Sequence, residues 1–494
     1  MNIKAKGLQY LNKWRHYTKG SINRQIFAAT VIVGLLTGFG KFASVGKELV
    51  VAWRFGTGNE LDAFVMAMVV PTFLVNVIAN SFKSALIPTY IQVREQQGKP
   101  AAQQLFSGVM TRAVGLLVIT AIAMAITAPI YLPLLASGFS EAKLTMTTQL
   151  LWSLCPSILL FGIINIWGGI LNAGEKFALA AVSPIIIPLT TAMMLFIFHD
   201  WGVYALVLGL ICGSVIEIII LGFGLRHQGI EILPRWSTVS PFKNKDTAPI
   251  RGRSSTTGRF SPCSMSELAL ASSKYDANLE RVIKQYFPVI IGAFLMCSTT
   301  LVDQSMAAML DSGSIAALGY ANRVIALPLS LVTLALGTAV VPYLSKTIAQ
   351  KNWRKINHTF KYYLKLIFVT TVPLTIIFIL ASKLIIRVLF ERGSFTPEDT
   401  QLVSQIQIFY ALQIPFYISA IFVVRLINSL GVSHFLAWGS AINLGVNIVA
   451  NYAFVKWIGV KGIALSTSCV YLISFVFLYI LTNKHLQKIS LENG

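Results

Sequence analysis

Apolar runs of roughly 20 residues recur along the chain from residue 26 to residue 483, and each is long enough to cross about 30 Å of hydrocarbon as a helix. Twelve are read, at 26–54, 63–89, 113–136, 149–172, 179–198, 203–224, 288–310, 315–344, 364–386, 401–425, 435–455 and 462–483. Prolines inside them, such as Pro71, Pro156, Pro184, Pro373 and Pro415, suit membrane helices, where neighbours or water satisfy the freed backbone groups. The pattern predicts an all-α polytopic membrane protein. Its first run is too long for a secretory signal peptide and has no small-residue cleavage site.

The longest polar stretch, 225–287, contains PFKNKDTAPIRGRSSTTGRFSPCSMS and splits the runs six and six. Rich in Ser, Thr, Pro, Gly and basic residues, it reads as a largely disordered linker. The expected organisation is a basic segment at 1–25, a first lobe at 26–224, the linker, a second lobe at 288–483 and a tail at 484–494.

The two halves carry a repeat. Gly174 in LNAGEKF matches Gly431 in INSLGVSHF, and Gly202-Val203 matches Gly459-Val460, both at an offset of 257. Phe139 in SGFSEAKL matches Phe395 in GSFTPEDT, and Pro88 in SALIPTYI matches Pro342 in TAVVPYLS. Equivalent positions are six spans apart, so the lobes point the same way across the membrane. Two parallel-oriented six-helix lobes around a central cavity follow, an architecture suited to alternating access.

Composition agrees: the 494 residues are 55% hydrophobic and 12% charged, with mean hydropathy +0.69. The net charge of +21 is explained by topology. With the amino terminus inside, 28 of the 40 Lys and Arg fall on the cytoplasmic side and 5 on the other, so both termini are placed in the cytoplasm. Nucleic-acid binding is not expected, since no basic-aromatic folded module is present. Five scattered cysteines and six unpaired histidines offer neither a disulfide framework nor a metal site.

Charges inside the spans mark the candidate site, because each costs about 2.5–3.5 kcal/mol at the bilayer centre unless it meets a partner or water. The stretch RFGTGNELDAF, Arg54 to Phe64, follows a run holding Lys41, Lys47 and Glu48. Lys83, Asp62, Glu217, Asp303 and Arg323 complete the set. Lys41, Lys47, Arg54, Asp62 and Arg323 are read as lining a cationic cavity. Glu48, Lys83, Glu217 and Asp303 are candidate coupling or supporting groups. The bland alternatives are that Arg54 and Lys83 snorkel to an interface, that Lys41 pairs with Glu48, and that Asp62 caps its own helix. Lys383 and Arg425 lie near span ends and read as interfacial. A cavity lined mostly by Lys and Arg suits a phosphate or diphosphate.

GKELVVAWRFGTGNELDAFVMAMVVPTFLVNVIANSFKSALIPTY, SGSIAALGYANRVIALPLSLVTLALGTAVVPYLSK and LFERGSFTPEDT together resemble the MviN-like lipid II flippases of the multidrug/oligosaccharidyl-lipid/polysaccharide exporter superfamily. The resemblance runs in order over nearly the whole chain. It implies a two-lobed fold alternating between inward and outward states, and export of polyprenyl-diphosphate-linked saccharides with membrane potential as the drive. The family's first-helix arginines fall on Lys41 and Lys47, its acid after the FG turn on Asp62 and its eighth-helix arginine on Arg323. Its second-helix arginine falls at Val75 and its eighth-helix glutamate at Ala326. The twelve spans read here are two fewer than its peptidoglycan members carry.

The function expected is a flippase for lipid II or a related glycan precursor, acting as a monomer in the bacterial cytoplasmic membrane. Its partners would be the lipid-linked oligosaccharide and membrane lipids, with no cofactor and with membrane potential or a coupling ion as the drive. The alternative is a cation-coupled drug or metabolite antiporter, which would want carboxylates as the main cavity charges. An enzyme is not expected: a glycosyltransferase needs an acidic catalytic cluster in a sizeable non-membrane segment.

Overall fold

A computed structural model of the chain describes residues 22–174, 177–231, 265–350, 353–432 and 434–492. Each predicted run falls on helix. The first lobe holds α1 (Ile22–Phe55), α2 (Asn59–Gln97), α3 (Lys99–Leu135), α4 (Glu141–Ala173), α5 (Phe177–Val182), α6 (Ile186–Ile197) and α7 (Val203–His227). The second holds α8 (Met265–Ala308), α9 (Ser314–Ala349), α10 (Trp353–Leu380), α11 (Ser382–Phe390), α12 (Pro397–Ala411), α13 (Ile414–Leu430), α14 (His434–Ile458) and α15 (Lys461–Glu492). Nine described helices are long and apolar enough to cross a membrane, or ten when α12 and α13, bent by 43°, are one span. The two other predicted runs fall on helices outside that set: α1, with its internal charges, and α14, which carries Asn443, Asn447 and Asn451 at four-residue spacing.

Three predicted spans are interrupted. The fifth passes through a short 3-10 turn at Ser183–Ile185 holding Pro184. The ninth breaks at Ala381, and the tenth breaks at Leu412-Gln413 just before Pro415. Of the linker read at 225–287, residues 232–264 lie outside the described residues. The rest is not loop throughout: α8 begins at Met265, so the linker's carboxy-terminal part extends the seventh span as helix.

The repeat is visible in backbone geometry. Gly202 and Gly459 have φ of 53° and 63° and open the turns into α7 and α15. Ser140 and Thr396, each following a matched phenylalanine, are the N-caps of α4 and α12. Thr396 closes a capping box with Asp399.

Within the first lobe, small residues let helices approach closely. Gly209 and Gly213 of α7 face Thr190 of α6, whose hydroxyl donates to the Gly209 carbonyl at 3.2 Å. The lobes meet asymmetrically. On one side α2 and α8 pack along much of their length, through Phe73–Phe294, the stacked Phe82–Tyr286 pair, Arg281 donating to Gln92 and Asn278 donating to Gln97. On the pseudo-symmetric side α1 and α9 make far fewer contacts.

Candidate functional site

The α1–α9 seam has three levels, ordered identically along both helices. At one end the stretch 53–62 is gripped by two loops of the second lobe. The Ser394 amide donates to the Trp53 carbonyl at 2.8 Å, the Tyr320 hydroxyl donates to the Gly56 carbonyl at 3.1 Å, and Thr57 donates to the Asp399 carboxylate. A Cβ on Gly56, with φ of 53°, would lie 2.3 Å from the Ser394 carbonyl oxygen, so only glycine fits this approach.

Asp62 anchors this latch. Only 1% exposed, it accepts from the Gly313 amide at 2.7 Å and the Ala316 amide at 2.8 Å, and pairs with Lys143 at 3.0 Å. Gly313 precedes α9, so the acid of one lobe caps a helix of the other and meets its positive end. It does not cap its own helix, and it does not line the cavity described below. Arg54 lies at the same end, donating to the His199 carbonyl at 2.6 Å. It also lies away from the cavity.

At the middle level, Glu48 of α1 is buried and bridged by Lys47 beside it and Arg323 of α9 across the seam. The two cations expected to face substrate are therefore partly neutralised by one carboxylate. Lys41 is not Glu48's partner.

The third level is a cavity of about 580 Å³ lined by α1, α9, α13 and α15. Among the described residues its charged lining groups are Lys41 and Arg425, with no carboxylate; Asn322, Gln413, Tyr417 and Tyr471 add uncharged polar groups. Arg425 is the main residue that sequence reasoning missed. The predicted span ended on it, whereas α13 runs on to Leu430, and Arg425, although exposed, borders the cavity.

The remaining candidates are dispersed. Lys83 of α2 is half-buried with no acidic partner among the described residues, its stem against Gly169 of α4. Glu217, 1% exposed, accepts from the Ser183 hydroxyl at the break in the fifth span. Asp303 of α8 accepts from Asn447 at 2.9 Å and Asn451 at 2.6 Å, both on α14. The Oδ1 atoms of these asparagines are buried without donors. No cluster of three or more His, Cys, Asp or Glu suited to a metal occurs among the described residues.

The family model described as Lipid II flippase MurJ matches residues 51–493. The chain belongs to the MurJ family. It is 25% identical over 482 residues to a probable lipid II flippase MurJ of Synechocystis sp., covering 96% of this chain and 84% of that protein. To a probable lipid II flippase MurJ of Helicobacter pylori J99 it is 29% identical, with 87% and 88% covered. A solved lipid II flippase MurJ in an inward closed conformation superposes with a TM-score of 0.73 at 24% identity, covering 93% of this chain and 90% of that one. A MATE multidrug resistance transporter of the MOP superfamily, in an inward-facing conformation, superposes at 0.70 with 12% identity, covering 94% and 100%. These superpositions establish the two-lobed fold. Against the MurJ family pattern, Ala326 lines the cavity without charge and Val75 is buried.

Proposed function

We propose that this MurJ-family chain flips a polyprenyl-diphosphate-linked saccharide, lipid II or a related glycan precursor, from the cytoplasmic to the outer leaflet by alternating access. The observation that carries this reading is the cavity's charge: Lys41 and Arg425 with no carboxylate among the described lining residues, which suits a phosphate-bearing headgroup. A cation-coupled drug antiporter would want the opposite lining.

Lys and Arg placement puts the amino terminus inside and the latch at the outer face. The molecule is then closed outside, with its cavity on the cytoplasmic side of the Lys47–Glu48–Arg323 bridge. The sparse α1–α9 seam gives the headgroup a lateral way in, while the α2–α8 seam holds the lobes together. Export requires the latch to part and the lobes to close over the cytoplasmic side. Arg323 sits between cavity and latch, where it can pass from Glu48 to an arriving phosphate and so link occupancy to opening. Asp303 with its asparagines is the best-placed coupling group, and the chain acts as a monomer because each lobe supplies the other's partner.

Flipping of a short-chain lipid-linked saccharide by purified protein in liposomes tests this. Arg323→Ala should abolish transport while the chain still folds and inserts, and Lys383→Ala, on the outer helix α11, should stay near wild type. Full activity in Arg323→Ala would end the cationic mechanism.

A further inference from the structure

Glu217 of α7 is a buried carboxylate that neither the cavity nor the latch uses. Its one partner among the described residues is the Ser183 hydroxyl, and no Lys, Arg or His there is paired with it. Taking an ionised carboxylate out of water without a cation costs far more than burying a neutral one. The elements packed around it bring no countercharge. α5, the turn 183–185 and α6 hold no titratable residue. On α4, Lys143 pairs with Asp62, Cys155 donates to the Leu151 carbonyl at 3.4 Å, and Glu141 opens the helix at the latch end. Lys83 of α2 lies against Gly169, and His199 and Asp200 pair with each other before α7 begins. On α7 itself Cys212 is more than a turn away, and Arg226 and His227 lie in the last turn.

The duplication shows that this level packs without a charge. At the repeat offset of 257, Glu217 corresponds to Ser474 of α15 and Ser183 to Ser440 of α14. There Asn443 donates to Ser474 at 3.2 Å, a neutral pair between the same two spans. A neighbouring bond is repeated as well: Thr190 donates to the Gly209 carbonyl in the first lobe, and Ser466 to the Asn447 carbonyl at 3.4 Å in the second. The carboxylate is therefore an addition made by the first lobe, not a packing requirement. It sits where the fifth span breaks. Pro184 and Pro188 each remove a main-chain donor there, so the span bends at low cost. Among the described residues, α1 packs in its own lobe chiefly on α5, this turn and α6. A Cβ on Gly40 would lie 3.4 Å from the Ile185 side chain, while Lys41 beside it lines the cavity. Contact thus runs from Glu217 through Ser183 and Ile185 to the helix that carries Lys41, Glu48 and part of the latch.

We propose that Glu217 is a proton site of the first lobe, whose proton keeps the broken fifth span, and α1 upon it, in the position seen here. With the proton on, the neutral carboxyl accepts from Ser183 and stays dry. When the proton leaves to water, the charge is left with one hydroxyl donor in an apolar setting, and the break must open to bring water to it. α1 then shifts with the fifth span, carrying Lys41 at the cavity and the stretch from Trp53 to Thr57 in the latch. The site lies in the opposite lobe from Asp303. It holds a proton and not a metal ion, since one carboxylate and one hydroxyl offer too few oxygens for a cation's shell. The proposal goes beyond the flippase reading and does not need it: none of Glu217, Ser183, Ile185 and Gly40 lines the cavity.

The test uses the full chain in nanodiscs, titrated from about pH 5 to about pH 9. Infrared difference spectra follow the carboxylic-acid C=O stretch. Spin labels at Phe42 of α1 and Phe223 of α7, both exposed, follow the distance between the two helices. Wild type should lose an acid band and change the label distance at one shared midpoint. Glu217→Gln should lack that band and hold the low-pH distance at every pH; it should still fold, because the neutral Asn443–Ser474 pair packs the same level of the second lobe. Ser183→Ala removes a donor to the ionised form, so both midpoints should move up by about one pH unit. A wild-type label distance that ignores pH, a pH response that survives in Glu217→Gln, or a Ser183→Ala midpoint equal to wild type would each overturn the proton site. No readout here uses a lipid-linked saccharide, so failure of the flippase reading would leave these outcomes unchanged.

Discussion

A single carboxylate, Asp62, shows how the latch works. Its two oxygens take three donors: the Gly313 amide and Lys143 on Oδ2, and the Ala316 amide on Oδ1. Asparagine has one acceptor oxygen, so Asp62→Asn turns its NH2 toward an N–H and leaves Lys143 without its anion. Breaking a buried pair by removing one partner costs about 3 kcal/mol or more, and thermal unfolding of the variant should show that loss. A melting temperature equal to that of Lys383→Ala would contradict the latch role. The residue was legible in the sequence but its partners were not: they are backbone amides at Gly313 and Ala316, whose chemistry no sequence pattern displays. Lys143 read only as a loop charge, yet it pairs with Asp62 and lies over the Phe139 ring at 4.1 Å. Lys47, Glu48 and Arg323 were likewise visible as charges in oil. That they satisfy one another across the seam depends on how the lobes dock.

At the scale of elements, each of the twelve apolar runs falls on helix, and nine or ten of these helices are long and apolar enough to cross a bilayer, which demands about 20 apolar residues per crossing. Hydropathy could not place breaks such as Leu412-Gln413, since an apolar run looks continuous whether or not its helix bends. That is also why Arg425 was set at an interface: its span was cut short by five residues relative to α13, which ends at Leu430. The duplication was legible through glycines such as Gly202 and Gly459, whose positive φ ties residue type to backbone shape. Close helix packing was not predicted. A Cβ on Gly213 would lie 2.2 Å from the Thr190 hydroxyl and 2.9 Å from the Ile187 Cα. Gly213→Leu should therefore destabilise the first lobe by about 1–3 kcal/mol in thermal unfolding. Gly115→Leu, with nothing within 4 Å of its Cβ, should not. Equal melting temperatures would show that α6 and α7 do not depend on this approach.

For the whole molecule, the three levels of the α1–α9 seam place cavity, charge bridge and latch in series. Alternating access then means transferring closure from one end of this series to the other. In the second lobe Asp303 ties α8 to α14 through Asn447 and Asn451. A carboxylate there that takes up and releases a cation would loosen or tighten α8, the helix on which the first lobe's α2 packs. Asp303→Asn should keep headgroup binding but lose the response of flipping to an imposed cation gradient. A gradient response equal to wild type would remove Asp303 from coupling.

The central claim is that a diphosphate-linked saccharide lipid is carried from the inner to the outer leaflet. Depleting the protein in its host and measuring which lipid-linked saccharide accumulates, and in which leaflet, tests it most directly. Accumulation of a polyprenyl-diphosphate-linked saccharide in the cytoplasmic leaflet is the predicted result, and the sugar found there names the substrate. Depletion with no lipid-linked intermediate in either leaflet would contradict the account.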